Sequence, residues 1–198
     1  ERSTMVVLLR GINVGGHNKL PMATLRSIAT DAGFGSVQTY IQSGNLIVRT
    51  DLAPQAVAAR LRDAIEAETG LTPDLMVRTH AELAAVVAGN PFVNRGEDAA
   101  LTHVQFVDGP APETLGVDDL DSFAPEEVAL VGREIYLFLP EGMSQSKLPV
   151  ALAKVKTRSV TQRNWRTTTK LLAMADEAAN PATPAPCRTS EDRPFPPS

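Results

Sequence analysis

An apolar run that ends in a glycine-rich segment constrains the fold of this chain more than any other feature. Residues 5–9 are all apolar, and Gly11, Gly15 and Gly16 follow before Pro21 opens an amphipathic stretch. The run predicts a buried strand, and the glycines predict a loop that turns the chain from that strand into a helix. Such a loop points backbone N–H groups and the start of a helix toward one place, an arrangement that binds anions.

The elements after this loop predict one complete βαββαβ unit. Apolar positions recur at helical spacing in two stretches, and short apolar or alternating runs separate them. This order is typical of a ferredoxin-like half. A capping box from Thr79 to Glu82 then starts a short connecting helix that ends at Gly89. The predicted elements are strands over residues 5–10, 37–42, 46–49 and 75–77 and helices from Pro21 to Gly33 and from Pro54 to Gly70.

The second half repeats this order and adds a helix. Gly132 and Arg133 form the turn of a predicted hairpin, as residues 43–45 do in the first half. The predicted fold class is therefore α+β, with two ferredoxin-like βαββαβ halves in tandem and an extra C-terminal helix. The predicted elements are strands over residues 102–107, 127–131, 134–139 and 157–161 and helices over residues 112–120, 147–155 and 164–175.

Proline marks the boundaries of the predicted domains. Asn90-Pro91 closes the connecting helix and separates an N-terminal half, residues 1–90, from a C-terminal half, residues 91–178. Residues 179–198 contain six prolines and few side chains that can pack, which predicts a disordered tail. The single cysteine, Cys187, lies in that tail, so a disulfide framework and a thiolate metal cluster are excluded.

Composition and charge narrow the classes of function. A run of about 18 apolar residues is absent, which predicts no membrane span. One cysteine and no secretory signal favour the cytoplasm. The net charge is −4, yet seven basic and no acidic residues lie between Gly142 and Ala175. A basic segment on an acidic chain indicates either a local anionic partner or a pair of solvated helices.

The glycine-rich loop carries side chains suited to phosphate or carboxylate. Arg10, Asn13, Asn18 and Lys19 supply hydrogen-bond donors, and the glycines permit close approach of the backbone. The spacing fits neither a dinucleotide fingerprint nor a P-loop, because Leu20 follows Lys19 where a P-loop has Ser or Thr. Two interpretations stay open: the loop binds an anion, or its glycines only allow a tight turn.

The turn at Ser43-Gly44-Asn45 is expected to lie beside this loop. In a βαββαβ unit the first and third strands are adjacent and antiparallel, so the end of the first meets the start of the third. The topology therefore predicts a composite site from the two segments. Gly and Asn also accept left-handed backbone geometry at little cost, so turn formation alone is a sufficient explanation.

A third polar segment runs from Thr161 to Lys170. Placed on the final helix, Arg163, Thr167 and Lys170 share one face, and Thr161 is a candidate cap. Trp165 is expected to anchor the helix in the core rather than to stack on a base. The basic side chains either bind an anion or pair with the acidic first half.

These motifs resemble a known family. Residues 8–19, Ser43-Gly44-Asn45 and Arg163-Asn164-Trp165 are similar to the bacterial domain-of-unknown-function family 1697, and Asn90-Pro91-Phe92 also fits its pattern. Gln162 and Arg166 stand where that pattern has Thr and Asn. The resemblance implies a bacterial α+β protein with two ferredoxin-like halves, and it implies no reaction.

The function that the sequence favours is binding of a small phosphate- or carboxylate-bearing anion. No cofactor, metal site or catalytic residue is predicted, and the oligomeric state is left open. One alternative is nucleic-acid binding through the C-terminal basic helices, although the first-half strands offer only Tyr40 for base stacking. The other is a protein interaction module without enzymatic activity. The predicted ligand-binding residues are Arg10, Gly11, Asn13, Gly15, Gly16, Asn18, Lys19, Ser43, Gly44, Asn45, Arg163, Asn164 and Lys170.

Overall fold

Two four-stranded antiparallel sheets form the frame of the protein in the computed structural model, which describes residues 2–181. The first sheet contains β1 (Ser3–Leu9), β2 (Gly35–Tyr40), β3 (Asn45–Thr50) and β4 (Leu75–Thr79) in the order β2-β3-β1-β4. The second contains β5 (Thr102–Val107), β6 (Glu127–Val131), β7 (Glu134–Phe138) and β8 (Val160–Asn164) in the order β6-β7-β5-β8. Because the two orders are equivalent, the prediction of two ferredoxin-like halves is confirmed.

Local sequence signals set the ends of several helices. Pro54 occupies the first turn of the second helix, and Gly70 ends it in a left-handed conformation. The predicted capping box is present, since the Thr79 hydroxyl accepts from the Glu82 amide and the Glu82 carboxylate accepts from the Thr79 amide. The helices are α1 (Met22–Asp31), α2 (Pro54–Thr69), α3 (His80–Ala88), α4 (Pro91–Asn94), α5 (Leu148–Ala153) and α6 (Trp165–Ala179).

Three hydrophobic clusters stack the elements in layers. Alternate residues of β1, such as Val7, face α1 and α2, whereas Val6 and Leu8 face α3 and α6. The cluster around α3 and α6 also contains Phe106 of β5, so it is shared by both sheets. The opposite face of the second sheet packs on α5. The two halves are therefore joined through a common core and not through a linker alone.

A buried arginine reinforces this junction. Arg78 of β4 is 2% exposed, and its Nε donates to Oε1 of Glu134 at 2.7 Å. Its Nη2 donates to the Val107 carbonyl at 2.9 Å and its Nη1 to the Val77 carbonyl at 3.0 Å. Because Val107 and Glu134 belong to the second sheet, the Arg78 side chain of the first half donates hydrogen bonds to two acceptors of the second half.

Three sequence predictions in the second half are wrong. Residues 112–119 form no helix, and only a 3-10 turn (Leu120–Phe123) follows. Gly116 lies there with φ of +69° against Val155, a conformation that a helix does not allow. The last strand covers Val160–Asn164 instead of residues 157–161, and α5 is shorter than predicted. These shifts move Arg163 and Asn164 out of the final helix.

The remaining predictions concern boundaries. The division into domains at residue 90 stays a prediction. Most of the proline-rich tail, Cys187 included, lies outside the described residues. Among residues 2–181, no helix has both the length and the apolar character needed to cross a membrane.

Candidate functional site

The glycine-rich loop is closed by two of its own asparagines. Asn13 exchanges two hydrogen bonds with Leu20, accepting from its N–H at 2.8 Å and donating to its carbonyl at 2.9 Å. Asn18 donates to the Gly11 carbonyl at 3.0 Å. Both asparagines have positive φ, near 50°, which this residue type tolerates better than most. The loop is thus an ordered structure, and these two amides are engaged in maintaining it.

The turn that precedes β3 lies directly against the loop, which confirms the predicted juxtaposition. The Leu9 N–H donates to the Gly44 carbonyl at 2.8 Å, and Asn13 donates to the Gln42 carbonyl at 2.8 Å. Gly44 has φ of +86°, and a Cβ there would lie 2.6 Å from Ile12 Cδ1. Only glycine allows the two segments to approach this closely.

Arg163, from the third motif, also contacts the loop and the turn, but it does so from a strand and not from the predicted helix. It lies in β8 and is 7% exposed, not on the exposed face of the final helix. Its Nε donates to Asn45 Oδ1 at 2.6 Å, and its Nη2 donates to the carbonyls of Leu9 at 2.9 Å and Ser43 at 3.1 Å. The three motifs therefore meet in one polar cluster between the halves.

The guanidinium of Arg163 is fully used inside this cluster. Its Nη1 donates to Thr161 Oγ1 at 2.6 Å and to the Gln162 carbonyl at 3.0 Å, and the Nη2 hydrogens share three carbonyls. Burial lowers the pKa of Arg163 to about 10, so the group stays protonated at neutral pH. All five N–H donors have acceptors. Arg163 is thus a structural clamp, by which we mean that all its donors hold segments of the protein together. The Asn45 side chain is likewise used in hydrogen bonds within the protein.

The other predicted residues divide by exposure. Asn164 caps α6, accepting from the Thr167 N–H at 2.8 Å, so the prediction that Thr161 is the cap is wrong. Lys170 is exposed on α6, and Trp165 is buried in the shared core as predicted. Gly15, Gly16 and Lys19 lie in the exposed part of the loop, and their role in binding stays a prediction.

Arg10 is a predicted residue whose side chain lines two cavities. Its side chain is 49% exposed and lies between two cavities that it helps to line. The smaller, about 270 Å³, is bounded by the start of the loop at Gly11 and Asn18 and by the segment before β4 at Asp74. The larger, about 530 Å³, lies between β8 and α5. We refer to the two cavities together as the Arg10 cleft.

A short hydrogen-bond network holds the Arg10 side chain across the junction of the halves. Its Nη1 donates to Ser159 Oγ at 2.9 Å and lies 3.4 Å from Asp74 Oδ2. The Ser159 hydroxyl donates in turn to Asp74 Oδ2 at 2.7 Å. Asp74 belongs to the first half and Ser159 to the second, so the position of Arg10 depends on their packing.

The larger cavity contains functional candidates that the site prediction missed. Lys156 and Arg158 belong to the basic segment seen in the sequence, but no local pattern assigned them to a site. Gln105 of β5 had no signal in the sequence, and Gln162 of β8 lay in the third polar segment without being assigned to the site; strand pairing places the two side by side. The cavity is lined by Arg10, Gln105, Met143, Pro149, Leu152, Ala153, Val155, Lys156, Thr157, Arg158, Ser159, Val160 and Gln162.

The basic residues of the C-terminal segment do not form one surface. Leu148 and Leu152 place α5 on one face of the second sheet, and Leu171 places α6 on the other. The exposed lysines near α5 are therefore separated by the sheet from Arg166 and Lys170 on α6. The prediction of nucleic-acid binding through both helices assumed a continuous basic face, and these residues do not form one.

Comparison with known protein families finds one that matches this chain. The family described as "Protein of unknown function (DUF1697)" matches residues 2–136. The chain belongs to this family. The matched segment of the DUF1697 chain includes the glycine-rich loop and the Ser43-Gly44-Asn45 turn, and Arg163 lies beyond it.

A solved structure shares the fold. The conserved bacterial protein SP0830 from Streptococcus pneumoniae is 26% identical, with a TM-score of 0.68. The alignment covers 88% of this DUF1697 chain and 99% of the pneumococcal chain. No curated protein matches the sequence.

Proposed function

We propose that the protein binds a small phosphate- or carboxylate-bearing ligand in the Arg10 cleft. The observation that carries this proposal is the position of Arg10: a half-exposed guanidinium, held by Ser159 and Asp74, between two cavities at the junction of the halves. Arginine is suited to this role because its planar fork matches carboxylate and phosphate oxygens.

The charges around the larger cavity favour an anion. Lys156 donates to the Ala153 carbonyl at 3.2 Å and retains two further N–H donors. Arg158 donates to the Leu115 carbonyl at 2.6 Å, and burial lowers its pKa from the ordinary value. Among the groups that line the two cavities, Asp74 is the opposing carboxylate. The cleft thus presents three cations against one anion.

The glycine and asparagine motifs have a supporting role in this proposal. Gly44 and Asn13 bring the loop against the turn, and Arg163 fixes both to β8. Together they hold the end of β1 in place and therefore determine the position of Arg10, the next residue, at the cleft. Because the donors of Arg163 are all used within the protein, we expect Lys156 instead of Arg163 to be the second basic group that contacts the ligand.

Thermal unfolding of the wild type and of Arg10→Met tests the proposal. Inorganic phosphate and citrate are added separately at rising concentration. A ligand at about 100 times its Kd stabilises the folded state by about 2.7 kcal/mol, which raises the Tm of a chain of this size by about 5–10 °C. We expect this rise in the wild type and its loss in Arg10→Met.

The matched control is Arg26→Met, because Arg26 is an exposed arginine on α1 whose Nη1 donates to Thr39 Oγ1. It should keep the ligand-dependent rise in Tm. Equal stabilisation of wild type and Arg10→Met by every anion would place the binding elsewhere and refute the proposal.

A further inference from the structure

One serine hydroxyl in the Arg10 cleft lies between a carboxylate and a guanidinium. Ser159 Oγ donates to Asp74 Oδ2 at 2.7 Å and accepts from Arg10 Nη1 at 2.9 Å. Other serine hydroxyls among residues 2–181, such as those of Ser122 and Ser146, donate to backbone carbonyls instead. A hydroxyl that directs its proton to a carboxylate has a base within reach, which is the arrangement of an activated nucleophile.

The two partners of Ser159 both favour loss of its proton. The Asp74 carboxylate is in position to accept the proton, because the oxygen-to-oxygen distance of 2.7 Å is within the reach of a general base. The Arg10 guanidinium is in position to stabilise the serine oxygen as negative charge develops on it, because a hydrogen bond from an arginine strengthens when its acceptor becomes ionised.

The surroundings of this hydroxyl suit the transfer of a phosphoryl group. Ser159, Lys156 and Arg10 line the same cavity. Phosphoryl transfer depends mainly on positioning and on cations that neutralise the phosphoryl oxygens, and an aspartate often accepts the proton of the attacking hydroxyl. Asp74 is the carboxylate among the residues that line the two cavities. Its protonation therefore also removes the charge that would repel an incoming phosphoryl group.

We infer that Ser159 accepts a phosphoryl group from an acyl phosphate bound in the Arg10 cleft. Ser159 Oγ forms a bond to phosphorus while the bond from phosphorus to the acyl oxygen breaks. The serine proton passes to Asp74 and from there to solvent, and the acyl group leaves as a carboxylate. An acyl phosphate is the fitting donor because Asp74 is engaged with the serine proton, and a carboxylate needs no proton to leave. The inference rests on the proposed anion site at Arg10.

Incubation of the purified wild type with acetyl phosphate tests the inference. Acid treatment after the reaction removes phosphoryl groups from aspartate and histidine side chains and leaves phosphoserine intact. Mass spectrometry of the peptides then identifies the modified residue. We expect phosphoserine at Ser159, formed much faster than at any other serine. A wild type whose Ser159 stays unmodified would overturn the inference, and this measurement needs no variant that folds.

Two variants assign the chemistry to the cleft. Asp74→Asn keeps a carbonyl acceptor for the hydroxyl but lacks a base, so phosphorylation of Ser159 should slow by about a hundredfold or more. Ser122→Ala is the matched control, because it removes an exposed hydroxyl that donates to the Asp119 carbonyl outside the cleft. It should keep the wild-type rate at Ser159. An unchanged rate in Asp74→Asn, or equal modification of all serines, would show a non-specific reaction and overturn the inference.

Thermal unfolding separates this inference from the proposed function. If inorganic phosphate raises the Tm in an Arg10-dependent way and acetyl phosphate leaves Ser159 unmodified, the transfer is wrong and the anion site stands. If phosphate, citrate and acetyl phosphate all leave the Tm unchanged and Ser159 stays unmodified, both are wrong.

Discussion

At the scale of single residues, Arg163 has the most distant set of partners in the cluster between the halves. Its acceptors Leu9 and Asn45 lie 154 and 118 residues away in sequence. Both of these oxygens belong to the first half, and the arginine itself belongs to β8 of the second. Its removal would leave several buried oxygens without a donor at once.

We predict that Arg163→Met destabilises the protein by about 3 kcal/mol or more, because unpaired buried polar groups cost about 1–3 kcal/mol each. Urea unfolding of wild type and variant measures the difference. Arg163→Lys should recover little, since a single ammonium cannot reproduce the guanidinium fork. Arg166→Met is the control, an exposed neighbour on α6 that should change the free energy of unfolding by less than about 0.5 kcal/mol. A similarly small change in the free energy of unfolding for Arg163→Met would disprove the structural role of Arg163.

The role of Arg163 also shows why part of the site could not be predicted. Its spacing from Thr167 and Lys170 suits one face of a helix, and local spacing was the available signal. Its place in β8 depends on pairing with β5 and on oxygens more than a hundred residues away. By contrast, the approach of Gly44 to the loop follows from strand order alone, and it was predicted correctly.

At the scale of elements, helices with local start and stop signals were predicted well. Pro54 and Gly70 bound α2, and the capping box at Thr79 starts α3. Residues 112–119 form no helix although Pro112 suits a helix start, because Gly116 packs in a left-handed conformation against Val155. The conformation of this segment depends on contacts with residues distant in sequence, and its own composition does not indicate them.

His103 on β5 gives the second sheet a dependence on pH. Burial lowers the pKa of His103 below its ordinary value of 6.5. As the pH falls below 6.5 the unfolded chain takes up a proton at this site while the folded protein does not. The stability present above pH 6.5 is therefore lost progressively as the pH falls toward the pKa of the folded state.

We predict that His103→Gln loses less stability than the wild type between pH 7 and pH 5, because it has no group to titrate at this position. The free energy of urea unfolding at several pH values measures this slope. His17→Gln, in the exposed loop, is the matched control. The same slope in wild type and His103→Gln would contradict the prediction.

At the scale of the whole molecule, the two halves share one hydrophobic cluster and are also joined by two buried arginines. Phe106 of the second sheet and Leu8 of the first belong to the same cluster, while Arg78 and Arg163 cross between the sheets. This arrangement predicts that neither half is stable without the other.

We expect a single cooperative unfolding transition for the chain. Trp165 is the one tryptophan of the sequence and lies in the shared cluster, so its fluorescence reports on the junction. The midpoint of urea unfolding from this fluorescence should coincide with the midpoint from far-UV circular dichroism. A second dichroism step without a change in fluorescence would show instead that one half unfolds alone.

The junction also accounts for how much of the candidate site was predictable. Arg10, Gly11 and Asn18 were predicted because the loop itself has an unusual composition. Lys156 and Arg158 were visible only as part of a basic segment, and Gln105 had no signal at all. These three residues come together through the folding of the second half, and the packing of the halves adds Arg10 to them.

The clamp at Arg163 has a consequence for the order in which the protein is made. The turn that it completes contains Ser43 and Asn45, and the arginine follows Asn45 by 118 residues. At about 5–20 residues per second, synthesis of that interval takes roughly 6–24 s. During this time the oxygens of the turn are solvated or exchange partners within the nascent chain. The N-terminal half therefore acquires its final polar contacts only after nearly all of the C-terminal half has been translated.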